Sequence, residues 1–209
     1  MSVTICIYRP TLNDEVLERI LAAQPTRAMV SRPRVKARFC SSLYLQVCIA
    51  FITMSIVIVE TLIKAPPDRC FDLARSADFH VASTKSTAER IVGGITSGLM
   101  KLDDVIEFEG THFGVVQRLS AKIVVFDRPK HFRDTQLEGI FRSFNHDHYF
   151  EPVSEGTLMR DIFDFKCPLG ILGKLAAPVV ARHLRKFLAV RGLEIKRAAE
   201  GQDWQSFLL

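Results

Sequence analysis

The sequence predicts an α+β domain in which a curved antiparallel β-sheet grips one long C-terminal α-helix. Three observations carry that prediction. From Met54 to Phe165 apolar residues alternate in runs bounded by turn residues, every link between the runs is short, and after Pro168 the period changes to that of a helix. Short links matter because parallel strands need crossovers of about a dozen residues, whereas hairpins need only a few.

The elements follow in order. SIVIVETLIKAPP, from Ser55, is rich in β-branched residues and stops at paired prolines, so it reads as the first strand. Pro66 and Pro67 suit a helix start, and PDRCFDLAR places Cys70, Phe71, Leu73 and Ala74 on one side of a short helix. A more polar helical turn or two is expected from Asp78 to Ser86, and ERIVGGITSGLMKLDDVIEFEG then supplies two strands around a Gly-containing link. Strands VVQRLSAKIVVF, HFRDTQLEG, SFNHDHYFEP and LMRDIFDFKCP complete the sheet, with breaks at DRPK and VSEGT. In the last segment Leu172, Leu175, Ala176, Val179, Val180, His183, Phe187 and Val190 fall on one helical face. Pro178 interrupts the pattern, so a brief helix followed by the main one from about Pro178 is expected. Lys174, Arg182, Arg185 and Lys196 form the opposite, solvated face.

Charge and motifs exclude several functions. The formal net charge is +5, but residues 1–40 hold seven Lys/Arg against three Asp/Glu, which leaves 21 against 20 in the rest. A phosphate-binding groove is therefore not indicated, and no nucleic acid partner is expected. Walker and dinucleotide-binding glycine motifs do not occur, and GGITSG lacks the order of a nucleophile elbow. Five cysteines (Cys6, Cys40, Cys48, Cys70, Cys167), odd in number and without C-x-x-C spacing, read as free thiols in a reducing compartment, hence the cytoplasm.

Residues 1–53 read as an N-terminal extension: a helical stretch from Asn13 to Ala23 and a basic linker, or translated sequence upstream of a start at Met54. Arg32, Arg34, Lys36 and Arg38 precede the apolar run Leu43–Ile52, but that run is about half of the roughly 20 residues needed to cross a bilayer, so no membrane insertion is expected. Residues 54–200 form the predicted domain and 201–209 a C-terminal tail.

Several phrases occur in order: KAPPDRCFDLARSADFH, G-x-T-S-G at Gly94–Gly98, HFG at His112–Gly114, FDRPKHF at Phe126–Phe132, HDHYFEP at His146–Pro152, GT-x-M-x-D at Gly156–Asp161, and CPLG at Cys167–Gly170. Together they resemble the START-like (SRPBCC) superfamily, and within it the polyketide cyclase/dehydrase-like and ligand-binding bacterial branches. The resemblance covers about residues 55–200. It implies a helix-grip fold with an internal cavity for a hydrophobic or amphipathic small molecule, lipid-like or aromatic, in a superfamily of carriers, sensors and cyclases. Where such proteins carry Gly-Asp this chain has Asp103-Asp104, so Asp103 is expected to hold a turn conformation better suited to glycine.

Candidate chemistry centres on SFNHDHYFEP. Alternation puts Phe144, His146, His148 and Phe150 on one face and Asp147 on the other, while the next strand puts Met159, Asp161, Phe163 and Phe165 on one face. A buried carboxylate needs a partner, so Asp161 is expected to pair with His146 or His148. Three readings stay open for the cluster: a self-satisfied polar patch that offers ligand hydrogen bonds, an acid/base pair, or a metal site. The ligand set for a metal is thin, so neither metal nor cofactor is expected. His112, at a strand end, and His183 and Phe187, on the helix, complete the expected cavity lining. The functional expectation is small-molecule binding, with a cofactor-independent cyclase or dehydratase that uses a His–Asp pair as the alternative.

Overall fold

The computed structural model describes residues 55–208. The expectations for residues 1–53, including the helical stretch, the apolar run and three of the cysteines, lie outside the described residues.

Strand β1 (Ser55–Ile63) alternates as its sequence requires, with Val57, Thr61 and Ile63 buried. Helix α1 (Pro67–Ala74) starts at proline, where a missing N–H costs nothing, and buries Cys70, Phe71, Leu73 and Ala74. Burial pushes the Cys70 thiol up to about 11, so it acts as a small apolar core residue. Helix α2 (Ala77–Ser83) is capped by Ser76, whose Oγ accepts the Phe79 N–H at 3.2 Å. A 3-10 turn (Lys85–Thr87) leads to β2 (Arg90–Gly94).

The remaining strands are β3 (Val105–His112), β4 (Val115–Asp127), β5 (His131–Glu138), β6 (Ser143–Val153) and β7 (Gly156–Lys166). They form one seven-stranded antiparallel sheet in the order β1-β7-β6-β5-β4-β3-β2, a meander whose first strand returns beside its last. Register shifts in β2 at Ile91/Gly93, in β4 at Ile123/Val125 and in β5 opposite Ser120/Ala121, where Leu137 is skipped, supply local bends that curve it. Asp103 sits at φ 70 in the turn before β3 and pairs with Lys122 at 2.8 Å, as the sequence suggested for a glycine-like position.

Helix α3 (Gly170–Glu200) crosses the sheet in one piece, so the expected interruption at Pro178 does not occur. Pro178 is exposed, and solvent can satisfy what its missing N–H leaves unpaired. The helix face also differs from the expected one. Leu172, Leu175, Val179 and Val190 are exposed, whereas Leu184, Leu188, Arg191, Gly192, Ile195, Ala198 and Ala199 are buried, because only the C-terminal half lies on the sheet. Gly192 permits that approach: a Cβ there would meet Thr61 Oγ1 at 2.6 Å. Of the expected solvated cations, Arg182 and Arg185 are exposed, whereas Lys196 reaches the Leu62 carbonyl at 2.6 Å.

Two apolar clusters fill the interior. One centres on Phe71, which meets Phe126, Phe132 and Phe150 edge-on at 5.4, 5.3 and 5.4 Å. The other joins Val57, Phe144, Phe163 and Phe165 to Leu184 and Leu188 of α3. The C-terminal tail contains helix α4 (Gln205–Leu208) and is docked, with Phe207 edge-on to Phe79 at 5.0 Å and Arg69 over Trp204 at 4.4 Å.

Candidate functional site

Strand register assembles the first polar cluster. On β6 and β7 His148 faces Asp161, and on β5 and β6 Asp134 faces His146, so four titratable side chains meet on the concave side of the sheet. Asp161 Oδ1 lies 3.2 Å from His146 Nε2 and 2.7 Å from His148 Nδ1, the second contact out of line for a hydrogen bond. Asp134 Oδ2 lies 3.1 Å from His148 Nε2 and 3.8 Å from His146 Nδ1. The imidazole rings stand 3.8 Å apart, and His148 stacks on Phe132 at 4.2 Å. Asp147, on the opposite face as alternation requires, binds Arg133 and His131 instead.

Burial opposes ionisation of Asp161 and Asp134, yet hydrogen bonds from the imidazoles outweigh it and hold both carboxyls below their usual range. Burial likewise opposes a charge on His148, but Asp134 and Asp161 outweigh it and raise its pKa, while burial and the neighbouring His148 lower that of His146. Two carboxylates thus face two imidazoles and the guanidinium of Arg191, and of the two rings it is His148 whose charged form they favour. Arg191 Nη2 donates to the Ala74 carbonyl at 2.7 Å. Asp134, His146 and His148 also present donor atoms within 4.8 Å of one another, the geometry a metal ion needs, but an ion there would have to displace the proton of His148.

A second cluster surrounds Glu89, in the link before β2. His80 Nε2, from α2, lies 2.7 Å from its Oε2, and His112 Nε2, at the end of β3, lies 3.3 Å from its Oε1. His112 Nδ1 in turn lies 3.0 Å from His183 Nε2 on α3. Burial opposes the Glu89 charge, but His112 and His80 hold the carboxyl down to about 2. Burial, then His112 and Lys186, lower the pKa of His183.

The space between sheet and α3 is divided in two. A cavity of about 520 Å³ is lined by Phe108, Leu119, Phe141, Phe163, Val180 and Phe187, with Glu89, His112 and His183 as its polar groups beside Gln117 and Arg118. Its rim is open and apolar: Phe113 is 54% and Leu172 69% exposed. A smaller cavity of about 100 Å³ is lined by Phe144, His146, His148, Asp134 and Arg191. Glu89, Phe108, Leu119, Phe163, Leu184 and Phe187 line both.

This differs from the single cavity expected from the sequence. His112, Phe163, His183 and Phe187 line the large cavity, whereas Phe144, His146 and His148 line the small one with Phe163 and Phe187. Asp161 lies behind the histidines and lines neither. Phe150 and Met159 are core residues packed in the Phe71 cluster, because the sheet bends toward α1 at that end. Sequence reasoning missed Asp134, Arg191, Glu89 and His80. Asp134 shares the Phe132 face of β5 by simple alternation, a signal that was present.

No protein-family model and no curated protein matches the chain. Solved structures do match. TTHA0849 from Thermus thermophilus superposes with a TM-score of 0.58 at 18% identity, over 69% of this chain and 96% of that one. The di-domain ARO/CYC StfQ from the steffimycin biosynthetic pathway gives 0.60 at 16% identity, over 72% of this chain and 52% of that one. Major latex-like protein 151 from Panax ginseng gives 0.54 at 16% identity, over 70% and 97%. The shared fold is the helix grip. At these identities the likeness is one of fold, and function is argued from the site.

Proposed function

We propose that the protein binds a hydrophobic or amphipathic small molecule in the 520 Å³ cavity. The observation that carries this reading is the cavity's composition, aromatic and aliphatic walls with a few convergent polar groups at one side, in the size range of small-molecule sites. Water in such a space lacks partners along most of the wall. A ligand that buries roughly 200 Å² of apolar surface there contributes about 5 kcal/mol before entropic costs. The fold neighbours include the ARO/CYC protein StfQ and a major latex-like protein, which is compatible with a binding scaffold and with a cyclase.

The second reading is a cofactor-independent cyclisation or dehydration, favoured by titratable groups on the cavity wall. Geometry favours His112 and His183 for that role over the His146, His148 and Asp161 set, because the latter three are only 7%, 2% and 1% exposed and do not reach the large cavity. None of the described helices is long and apolar enough to cross a membrane. The free Cys70 and Cys167 support the proposal of a reducing, cytoplasmic location.

Mass spectrometry of organic-solvent extracts of the purified full chain tests the reading. An apolar compound recovered in near-stoichiometric amount supports it. Protein that yields nothing and takes up no apolar probe overturns it.

A further inference from the structure

The chain Glu89–His112–His183 links a buried carboxylate to the wall of the large cavity through two imidazoles, and hydrogen-bond bookkeeping fixes its direction. His112 Nε2 lies 3.3 Å from a Glu89 oxygen, an ion-pair contact in which the carboxylate favours the proton on that nitrogen. In a neutral His112 ring Nδ1 is then the acceptor, so the contact to His183 is a bond that His183 Nε2–H donates. His183 is left with Nδ1 as a lone-pair acceptor, and no bond to that atom occurs among the described residues. The rings are held in place: His80, the other donor to Glu89, stacks on Phe108 at 4.2 Å, His112 meets Phe187 edge-on at 5.7 Å, and Phe113 covers His183 at 4.4 Å.

We propose that this relay makes the cavity a site for ligands that carry an acidic hydroxyl, a phenol or an enol on an apolar body, and that His183 Nδ1 accepts the hydroxyl proton. The inference rests on the cavity being a ligand site. When the ligand O–H bond breaks, its electron pair stays on oxygen and the proton bonds to His183 Nδ1. The Nε2 proton of His183 passes to His112 Nδ1, so the positive charge comes to rest on His112 against the Glu89 carboxylate. Nothing is oxidised or reduced. The phenolate or enolate stays in the cavity as the activated form of the ligand. Charged groups around His183 are His112 and Glu89 behind it, Arg118 on the cavity wall and Lys186 on its own helix. Lys186 favours an anion at this end, whereas Arg118 is already paired with Glu109 at 2.8 Å.

The sign of one shift tests the proposal. Burial in a merely apolar cavity raises the pKa of a phenol, whereas a proton-accepting relay lowers it. The probe is para-nitrophenol, whose phenolate absorbs in the visible, with para-nitroanisole as the counterpart that has no proton to give. In the full-length protein, bound para-nitrophenol is expected to ionise about one pH unit below the free probe. With His183→Phe or His183→Gln it should ionise above the free probe, and saturable binding of para-nitroanisole to each variant, at whatever affinity, shows that the cavity still takes a ligand. Glu89→Gln, a change at a positioning residue, should remove most of the downward shift. A probe that ionises at higher pH when bound to the wild type, or a downward shift that survives His183→Phe, overturns the relay and leaves the cavity reading standing. If neither probe binds, the cavity reading falls and the relay with it.

Discussion

Oδ1 of Asp161 lies 2.7 Å from Nδ1 of His148, with both side chains buried at the centre of the sheet. That contact joins β7 to β6, and Asp134 on β5 closes the other side of the same ring. Removing one member of a paired buried set strands the others. Asp161→Asn is expected to cost about 3 to 5 kcal/mol of unfolding free energy, measured by chemical denaturation, with Asp134→Asn costing less because that carboxylate has more solvent nearby. A loss under 1 kcal/mol for Asp161→Asn would show that the cluster is not under this constraint.

The carboxylates give the pH dependence a definite sign. Asp161, Asp134 and Glu89 all have folded pKa values below their unfolded ones, so they contribute stability that is present above about pH 4.5 and lost as pH falls through their folded values. His148, raised, contributes stability that is full below about pH 6.5 and lost as pH rises through its folded value, and the lowered His146 acts in the opposite sense. Thermal melts are expected to show a falling Tm below about pH 4.5 and a shallower acid limb in Glu89→Gln. An equal acid limb in the variant would contradict the assignment.

Asp161 and Asp134 already have His146 and His148 as partners, so the cluster needs no metal. Elemental analysis of purified protein is expected to find no stoichiometric transition metal. One equivalent of zinc or iron that His148→Gln removes would contradict this.

Much of this was legible in the sequence. Strand alternation placed His146, His148 and Asp161 together because β6 and β7 are joined by only Ser154 and Glu155, which fixes their register. Asp134 depends on the longer β5–β6 connection and was not paired for that reason. Glu89 follows Ala88, which sits in a left-handed conformation outside any periodic element, so no pattern pointed to it. Arg191 hides on the helix's buried side four residues after Phe187. Pro178 misled because the exposure of that turn decides whether proline breaks a helix, and exposure is a tertiary property.

Phe113 combines strain with a position on the cavity rim. It occupies φ 53 and Gly114 φ 75 in the two-residue turn between β3 and β4, a conformation that suits glycine at both places. Phe113→Gly is expected to stabilise the fold by about 1 kcal/mol and yet weaken binding of an apolar probe several-fold, read by denaturation and titration. A destabilised variant with full binding would remove Phe113 from the cavity wall.

The seven described strands form one sheet and α3 packs on it within residues 55–200, so the fragment 54–209 is expected to unfold cooperatively, with a Tm close to that of the full chain. Loss of a cooperative transition would make the N-terminal segment part of the core.

The most direct test of the central claim is a titration of the full-length protein with N-phenylnaphthylamine, whose fluorescence rises in apolar surroundings, beside a variant whose cavity is filled. Val180 lies on the cavity wall, half-buried at the edge of the Phe163 cluster, so Val180→Trp should occupy ligand space, and a cooperative melt of the variant shows that it is folded. The account predicts one saturable site in the wild type and at least tenfold weaker binding in Val180→Trp, a difference of about 1.4 kcal/mol or more. Equal binding by the two proteins, with Val180→Trp folded, would place the probe elsewhere and contradict the assignment of this cavity as the ligand site.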